Sequence, residues 1–314
     1  MSRANLAIKH ERSLFSRKLR MIARDRWLYL MLIPGLLFYA FFKFAPVFGL
    51  SIVLFDYLPP LGISGSRFVG LAHFQRLFSD PKFFQLLGNT FKLAFMNLVF
   101  YFPIPIILSI LLNEIRHIKY KRMLQSFVYL PHFISWTVLV GIFYIFLAPS
   151  GMINQLLDTL GIARINFLAE PSWFRPLIII QIIWREAGWG TIIYLAALSG
   201  IDEQLYEAAI MDGAGRFKRI WHITLPGIRS TIIILFILRL GNFLDTGFEQ
   251  IYLMMNSMNR SVADVFDTYV YVEGILNGSF SYTSTVGLFK SVVALILVLT
   301  TNKIVKSLGE EGVY

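Results

Sequence analysis

The sequence predicts an all-α integral membrane protein with six transmembrane helices and both termini in the cytoplasm. Three observations carry that expectation. Of the 314 residues, 56% are hydrophobic and only 15% charged, where a soluble domain has roughly 25% charged residues. Six apolar runs approach the length of about 20 residues that a helix needs to cross hydrocarbon. Lys and Arg are unevenly shared among the segments joining those runs. The chain has no cysteine, which excludes disulfides, thiolate metal sites and cysteine nucleophiles. Its net charge of +10 fits basic residues gathered at cytoplasmic helix ends, so no nucleic-acid partner is expected.

A basic tail at 1–26 precedes the first span, near 28–55. That run is longer than a signal-peptide core, contains Pro34 and Lys43, and lacks a small-residue cleavage site behind it, so it reads as an uncleaved anchor. Further spans are expected near 89–112, 127–148, 176–200, 229–255 and 284–305, making 27–306 one transmembrane domain with a short C-terminal tail at 307–314. With the N-terminus inside, segments 1–26, 113–126, 201–229 and 303–306 hold eighteen Lys and Arg, against six in 56–88, 149–175 and 256–282. This threefold excess orients the chain. Two outer segments have helical character of their own. Residues 68–91 carry Ser79, Asp80 and Pro81 as a helix-start signal, and 151–168 reads as a short amphipathic helix closed by Gly161. Both are expected to lie as lids on the outer membrane surface.

The inner segment 201–227 is far longer than a plain connection of about five residues. Ser199 and Asp202 offer helix-start chemistry before Leu205, Ala208 and Ala209, which recur at helical spacing. Gly213 and Gly215 break this helix. A second follows, with Phe217, Ile220 and Trp221 on one face, and is expected to end at Leu225-Pro226-Gly227 because the residue before a proline is pushed out of the helical region. The alternative, an amphipathic stretch lying on lipid, needs no such Gly and Pro punctuation.

The order Glu207-Ala208-Ala209, three residues, Gly213, nine residues, then Ile223-Thr224-Leu225-Pro226 resembles the "EAA" loop of permease subunits in binding-protein-dependent ABC importers, and it precedes the last two spans as in that family. FVGLAHFQRLF, YLPHFISW, YLAALSGID and DTYVYVEGI…YTSTVGLFKS are similar to the carbohydrate-uptake branch, in particular permeases for complex oligosaccharides. The resemblance covers most of 28–306; Met211 stands where an aliphatic Ile or Val is common. It implies a type I importer fold, alternating access, and docking of the loop as a coupling helix in a cleft of a cytoplasmic ATPase subunit. Glu207, Ala208, Ala209, Gly213, Phe217, Trp221, Leu225 and Pro226 are then the coupling residues. The implied partners are a second permease subunit (a different, homologous chain), two ATPase subunits, an extracytoplasmic solute-binding protein, an oligosaccharide and membrane lipid. The chain itself has no G-x-x-x-x-G-K-[ST] loop, so no cofactor is expected in it; ATP and Mg²⁺ would be bound by the ATPases. It is therefore not expected to be an enzyme. Its five histidines are dispersed, H-E-x-x-H and G-x-S-x-G are missing, and no metal is expected.

Ionisable groups within spans face a cavity or a partner helix. Trp184, Arg185, Glu186 and Trp189 fall near mid-depth of the fourth span, with Gly188 and Gly190 clearing room. In the fifth, Arg239, Asn242, Asp245 and Glu249 follow at steps of three, three and four and are expected to form one polar helical stripe. Aromatic faces and planar polar groups suit sugars, and the two arginines would favour acidic ones. Arg185 and Arg239 could instead pair with Asp245 and Glu249 simply to hold helices together. Lys290 is a further candidate that could equally snorkel to an interface. Two other readings remain open: the same type of importer for amino acids, peptides or an oxyanion, and a non-transporting scaffold or sensor that binds an ATPase. The outer-loop and last-span pattern favours sugar over the former. The polar stripe argues against the latter.

Overall fold

A computed structural model of the chain describes residues 24–307 and Gly309; the expected N-terminal tail, up to residue 23, and nearly all of the C-terminal tail lie outside the described residues. The chain divides into two compact units, up to Gly70 and from Leu71 onward. In the first, helix α1 (Arg26–Leu54) is predominantly apolar, and its large side chains from Trp27 to Phe48 lie bare on all sides, as lipid-facing residues do. A two-residue strand, β1 (Phe55–Asp56), then pairs antiparallel with β2 (Arg67–Phe68).

The second unit opens with α2 (Ala72–Ser79), an amphipathic helix with Leu77 buried beneath it. Helix α3 (Pro81–Asn113) is longer than the expected span. Asp80 caps it by accepting from the Lys82 backbone N–H at 2.8 Å, so the start signal at Ser79–Pro81 opens the spanning helix rather than belonging to a surface lid. The expected third span is interrupted. Helix α4 (Ile118–Tyr129) passes through a 3₁₀ turn, Leu130–Phe133, and extended backbone at Ile134 and Ser135 before α5 (Trp136–Leu147) resumes. Helix α6 (Met152–Thr159) closes at Gly161, whose φ is +73°. Asn154, fully buried, ties it down by bonding the Ala148 carbonyl and both backbone groups of Ile165.

Helix α7 (Pro171–Leu198) runs 28 residues, about 42 Å at 1.5 Å per residue. Short helices α8 (Glu203–Met211) and α9 (Arg216–Gly227) lead to α10 (Arg229–Gly241). The expected fifth span does not continue from there. Residues 242–247 are irregular, Gly247 has φ +87°, and only then does α11 (Phe248–Met254) begin. After α12 (Phe266–Tyr269) and a wide π turn, α13 (Phe280–Ser307) closes the unit. By length and composition, four described stretches can cross a bilayer: Arg26–Leu54, Pro81–Asn113, Trp136–Thr159 and Phe280–Ser307. A fifth qualifies if α9 and α10, bent by 61°, are one span. Helix α7 is long enough, but Gln181, Arg185 and Glu186 lower its apolarity.

Three π turns, Ala40–Phe44, Asn97–Tyr101 and Ile220–Thr224, each end two residues before a proline: Pro46, Pro103 and Pro226. A proline inside a helix removes one backbone hydrogen bond and pushes its ring against the carbonyl four residues earlier. Widening the preceding turn accommodates both. Leu225 therefore stays helical before Pro226, and α9 ends at Gly227, within the expected Leu225-Pro226-Gly227 stop, with Ile228 as its cap.

Around α7 the packing is close. A Cβ on Gly188 would lie 1.9 Å from the Val128 carbonyl oxygen, and one on Gly190 would lie 2.9 Å from Pro105. The room those glycines clear is taken by α4 and α3, so it serves helix contact rather than a passage. Near the start of α3 and α7, Lys82 pairs with the buried Asp264 at 2.7 Å, and Arg175 donates to Asn89, which itself donates to the carbonyls of Ser261 and Asp264.

Candidate functional sites: a cavity and an elbow

The interruptions in the helices converge on one place. A cavity of about 320 Å³ is bordered by Asn97, Trp136, Glu186, Arg239, Asp245 and Gln250, with Asn242, Thr246 and Gly247 beside them. The break in the third span leaves the Ile134 carbonyl without a helical partner, and Arg185 Nε donates to it at 2.9 Å. The same guanidinium lies 4.5 Å over the Trp136 ring and contacts one oxygen of Glu186. His132 Nδ1 is 2.9 Å from the other oxygen, and its ring stacks on Trp189 at 4.5 Å with 5° between planes. On the opposite side, the π turn in α3 aims both Asn97 and Tyr101 at Arg239. The guanidinium donates to Asn97 Oδ1 at 2.5 Å and stands 5.3 Å from the Tyr101 ring centre. Gln250, fully buried, donates to the Ile178 carbonyl at 2.9 Å and to Gln181 at 2.8 Å, joining α11 to α7.

Of the residues expected along the solute path, Glu186, Arg239, Asn242 and Asp245 border this cavity, while Arg185 and Trp189 stand behind it holding Glu186 and His132. Trp184 is half-exposed and Glu249 exposed, and neither is among the bordering residues. The single helical stripe is corrected: α10 stops before Asn242, so Arg239, Asn242 and Asp245 meet through an unwound segment instead. Neither arginine pairs with Asp245 or Glu249. Sequence reasoning missed Asn97, Tyr101, His132, Trp136 and Gln250. The signal was present for His132 and Trp136, which share the segment YLPHFISW and its proline.

The elbow is built from α8 and α9. Asp202 caps α8, accepting from the Gln204 N–H at 2.9 Å. Gly213, at φ +73°, ends it, with the Ala214 N–H bonding back to the Ala209 carbonyl at 2.8 Å, a left-handed cap that glycine adopts freely. Tyr206 Oη lies 2.9 Å from Thr224 Oγ1 and ties the two arms together. The elbow has two unlike sides. Inward, Ile201, Ile220, Leu225 and Ile228 pack with Ile110, Tyr194 and Leu198 of α3 and α7. Outward, Phe217 is 89%, Met211 86% and Trp221 70% exposed. Ala208 and Pro226 are exposed and Ala209 half-buried. Glu207 borders a cleft of about 660 Å³ with Glu114, Glu203, Arg216 and Arg219, and forms no ion pair among the described residues. Burying a bare aromatic side chain is worth about 1.5–3 kcal/mol. A side of this kind therefore suits a protein partner.

Comparison with known proteins identifies the family. Residues 93–309 match the family model described as "Binding-protein-dependent transport system inner membrane component". The chain belongs to this family. As one of its multi-pass permeases, it is 55% identical over 294 residues to Protein LplB of Bacillus subtilis (93% of this chain, 92% of that protein). It is 51% identical to the polygalacturonan/rhamnogalacturonan transport system permease protein YteP of the same organism, again over 93% of this chain and 92% of that protein. A solved structure of a bacterial alginate ABC transporter, in complex with alginate pentasaccharide-bound periplasmic protein, contains a chain that superposes with a TM-score of 0.87 at 39% identity. The match covers 94% of this permease and 99% of that chain.

Proposed function

We infer that this permease carries oligosaccharides into the cell by ATP-driven alternating access, as a subunit of an importer with a second, different permease, two ATPase subunits and an extracytoplasmic binding protein. In this reading the chain crosses the membrane six times with both ends inside, α7 supplying a span despite its polar residues. Relatives that carry polygalacturonan, rhamnogalacturonan and alginate support the cargo. ATP and Mg²⁺ belong to the ATPases. The observation that carries the mechanism is the unlike-sided elbow. Its bare outer side, Met211, Phe217 and Trp221, offers a grip, while its inner side is packed on α3, α7 and α10. Motion of the ATPases would pass through Glu207, Ala208, Ala209, Gly213, Leu225 and Pro226 into spans that border the cavity.

The chain lacks cysteine, so a Met211→Cys variant of the whole transporter carries a single reactive thiol in this subunit. It is expected to cross-link to the ATPase, with ATP changing the yield, while the wild-type transporter in liposomes accumulates oligosaccharide only with ATP. An elbow that cross-links to no ATPase in an intact, transporting assembly would sink the mechanism.

A further inference from the structure

Among the charged groups bordering the membrane cavity, Glu186, Arg239 and Asp245, the compensation is uneven. Glu186 is held by Arg185 on one oxygen and by His132 on the other. Arg239 instead donates to the neutral amide oxygen of Asn97, and among the described residues it pairs with no carboxylate. An amide orients a guanidinium without cancelling its charge. One acceptor also occupies only one of its five N–H donors, leaving an edge free for a planar, two-pronged contact with a carboxylate. Placing a charge in a membrane costs about 2.5–3.5 kcal/mol, and an aspartate at position 97 would offset that cost in a side chain of nearly the same shape. The amide keeps the cation available.

We propose that Arg239, oriented by Asn97, reads the carboxylate of uronic acid units in the transported oligosaccharide; this rests on the cavity being the oligosaccharide passage. Trp136 presents an aromatic side chain to the same space, suited to the apolar side of a sugar ring. Asp245 has no side-chain partner among the described residues. It accepts sugar hydroxyls and repels a carboxylate, so the acid group is directed toward Arg239. Glu186, already neutralised, adds no opposing field.

The test uses the complete transporter in nanodiscs, with trigalacturonate and its fully methyl-esterified form as probes. Wild type is expected to bind the acid at least about tenfold more tightly than the ester, a factor equal to about 1.4 kcal/mol. Asn97→Asp sets a carboxylate against Arg239 without stranding a charge, and Arg239→Gln removes the cation; each is expected to bring the ratio to about one, within the noise of a tenfold scale. A wild type without preference, or a ratio unchanged in both variants, overturns the inference while leaving oligosaccharide uptake by the wild-type transporter to stand. Failure of that uptake for any oligosaccharide overturns the underlying reading as well.

Discussion

Gly213 stands at φ +73° with nothing within 4 Å of the position a Cβ would take, so the backbone angle, not crowding, is what requires glycine there. Proline, locked near −65°, cannot adopt it. Gly213→Pro is therefore expected to unseat α9 from α8 and abolish transport-coupled ATP hydrolysis, while the amount of subunit in the membrane is unchanged. Wild-type coupling in liposomes would refute this. This glycine was legible in the sequence because an αL stop after a short helical run has a local signature. Arg239 was legible as a polar intruder in an apolar run. Its partners Asn97 and Tyr101 were not: they lie more than 130 residues away, and the π turn that aims both at it follows from Pro103 in a way that helical periodicity does not capture.

At the scale of elements, the contact of α7 with its neighbours is decided by two small residues. A methyl group on Gly188 would overlap the Val128 backbone at 1.9 Å from the oxygen and 2.5 Å from the carbon. Backbone atoms cannot swing aside as a side-chain tip can, so overpacking here is expected to cost about 1–3 kcal/mol or more. Gly188→Ala should lower the thermal stability of the purified assembly, whereas Gly88→Ala, with open space around its Cβ, should stay within about 0.5 kcal/mol of wild type. Equal melting of the two variants would show that α4 and α7 separate freely. The sequence marked Gly188 and Gly190 as room-makers but attached that room to a solute, because spacing within one helix says nothing about which neighbour comes close. The same limit explains the broken fifth span. Asn242, Asp245 and Glu249 keep helical spacing on paper, yet α10 ends at Gly241 and the chain turns through Gly247 at φ +87°. Helix α6 and the elbow carried their own start and stop residues, which made them readable, whereas the signal at Ser79–Pro81 opened α3.

For the whole molecule, coupling to an ATPase requires the elbow to lie on the cytoplasmic side of the membrane. Eighteen Lys and Arg in one set of connecting segments against six in the other predict an orientation in which the elbow meets the cytoplasm. The same orientation would put α6, with its Asp158–Arg164 pair, outside. Since the chain has no cysteine, single replacements report side directly. Thr159→Cys, at the exposed end of α6, is expected to react with a membrane-impermeant maleimide on intact spheroplasts. Lys218→Cys, on the exposed outer side of the elbow, is expected to react only after the membrane is opened. The reverse pattern would place the elbow outside, away from any nucleotide, and would remove the basis for coupling it to an ATPase. Labelling of both from outside would mean that an even number of crossings separates the two sites, leaving α7 as a buried or re-entrant helix despite its 28 residues.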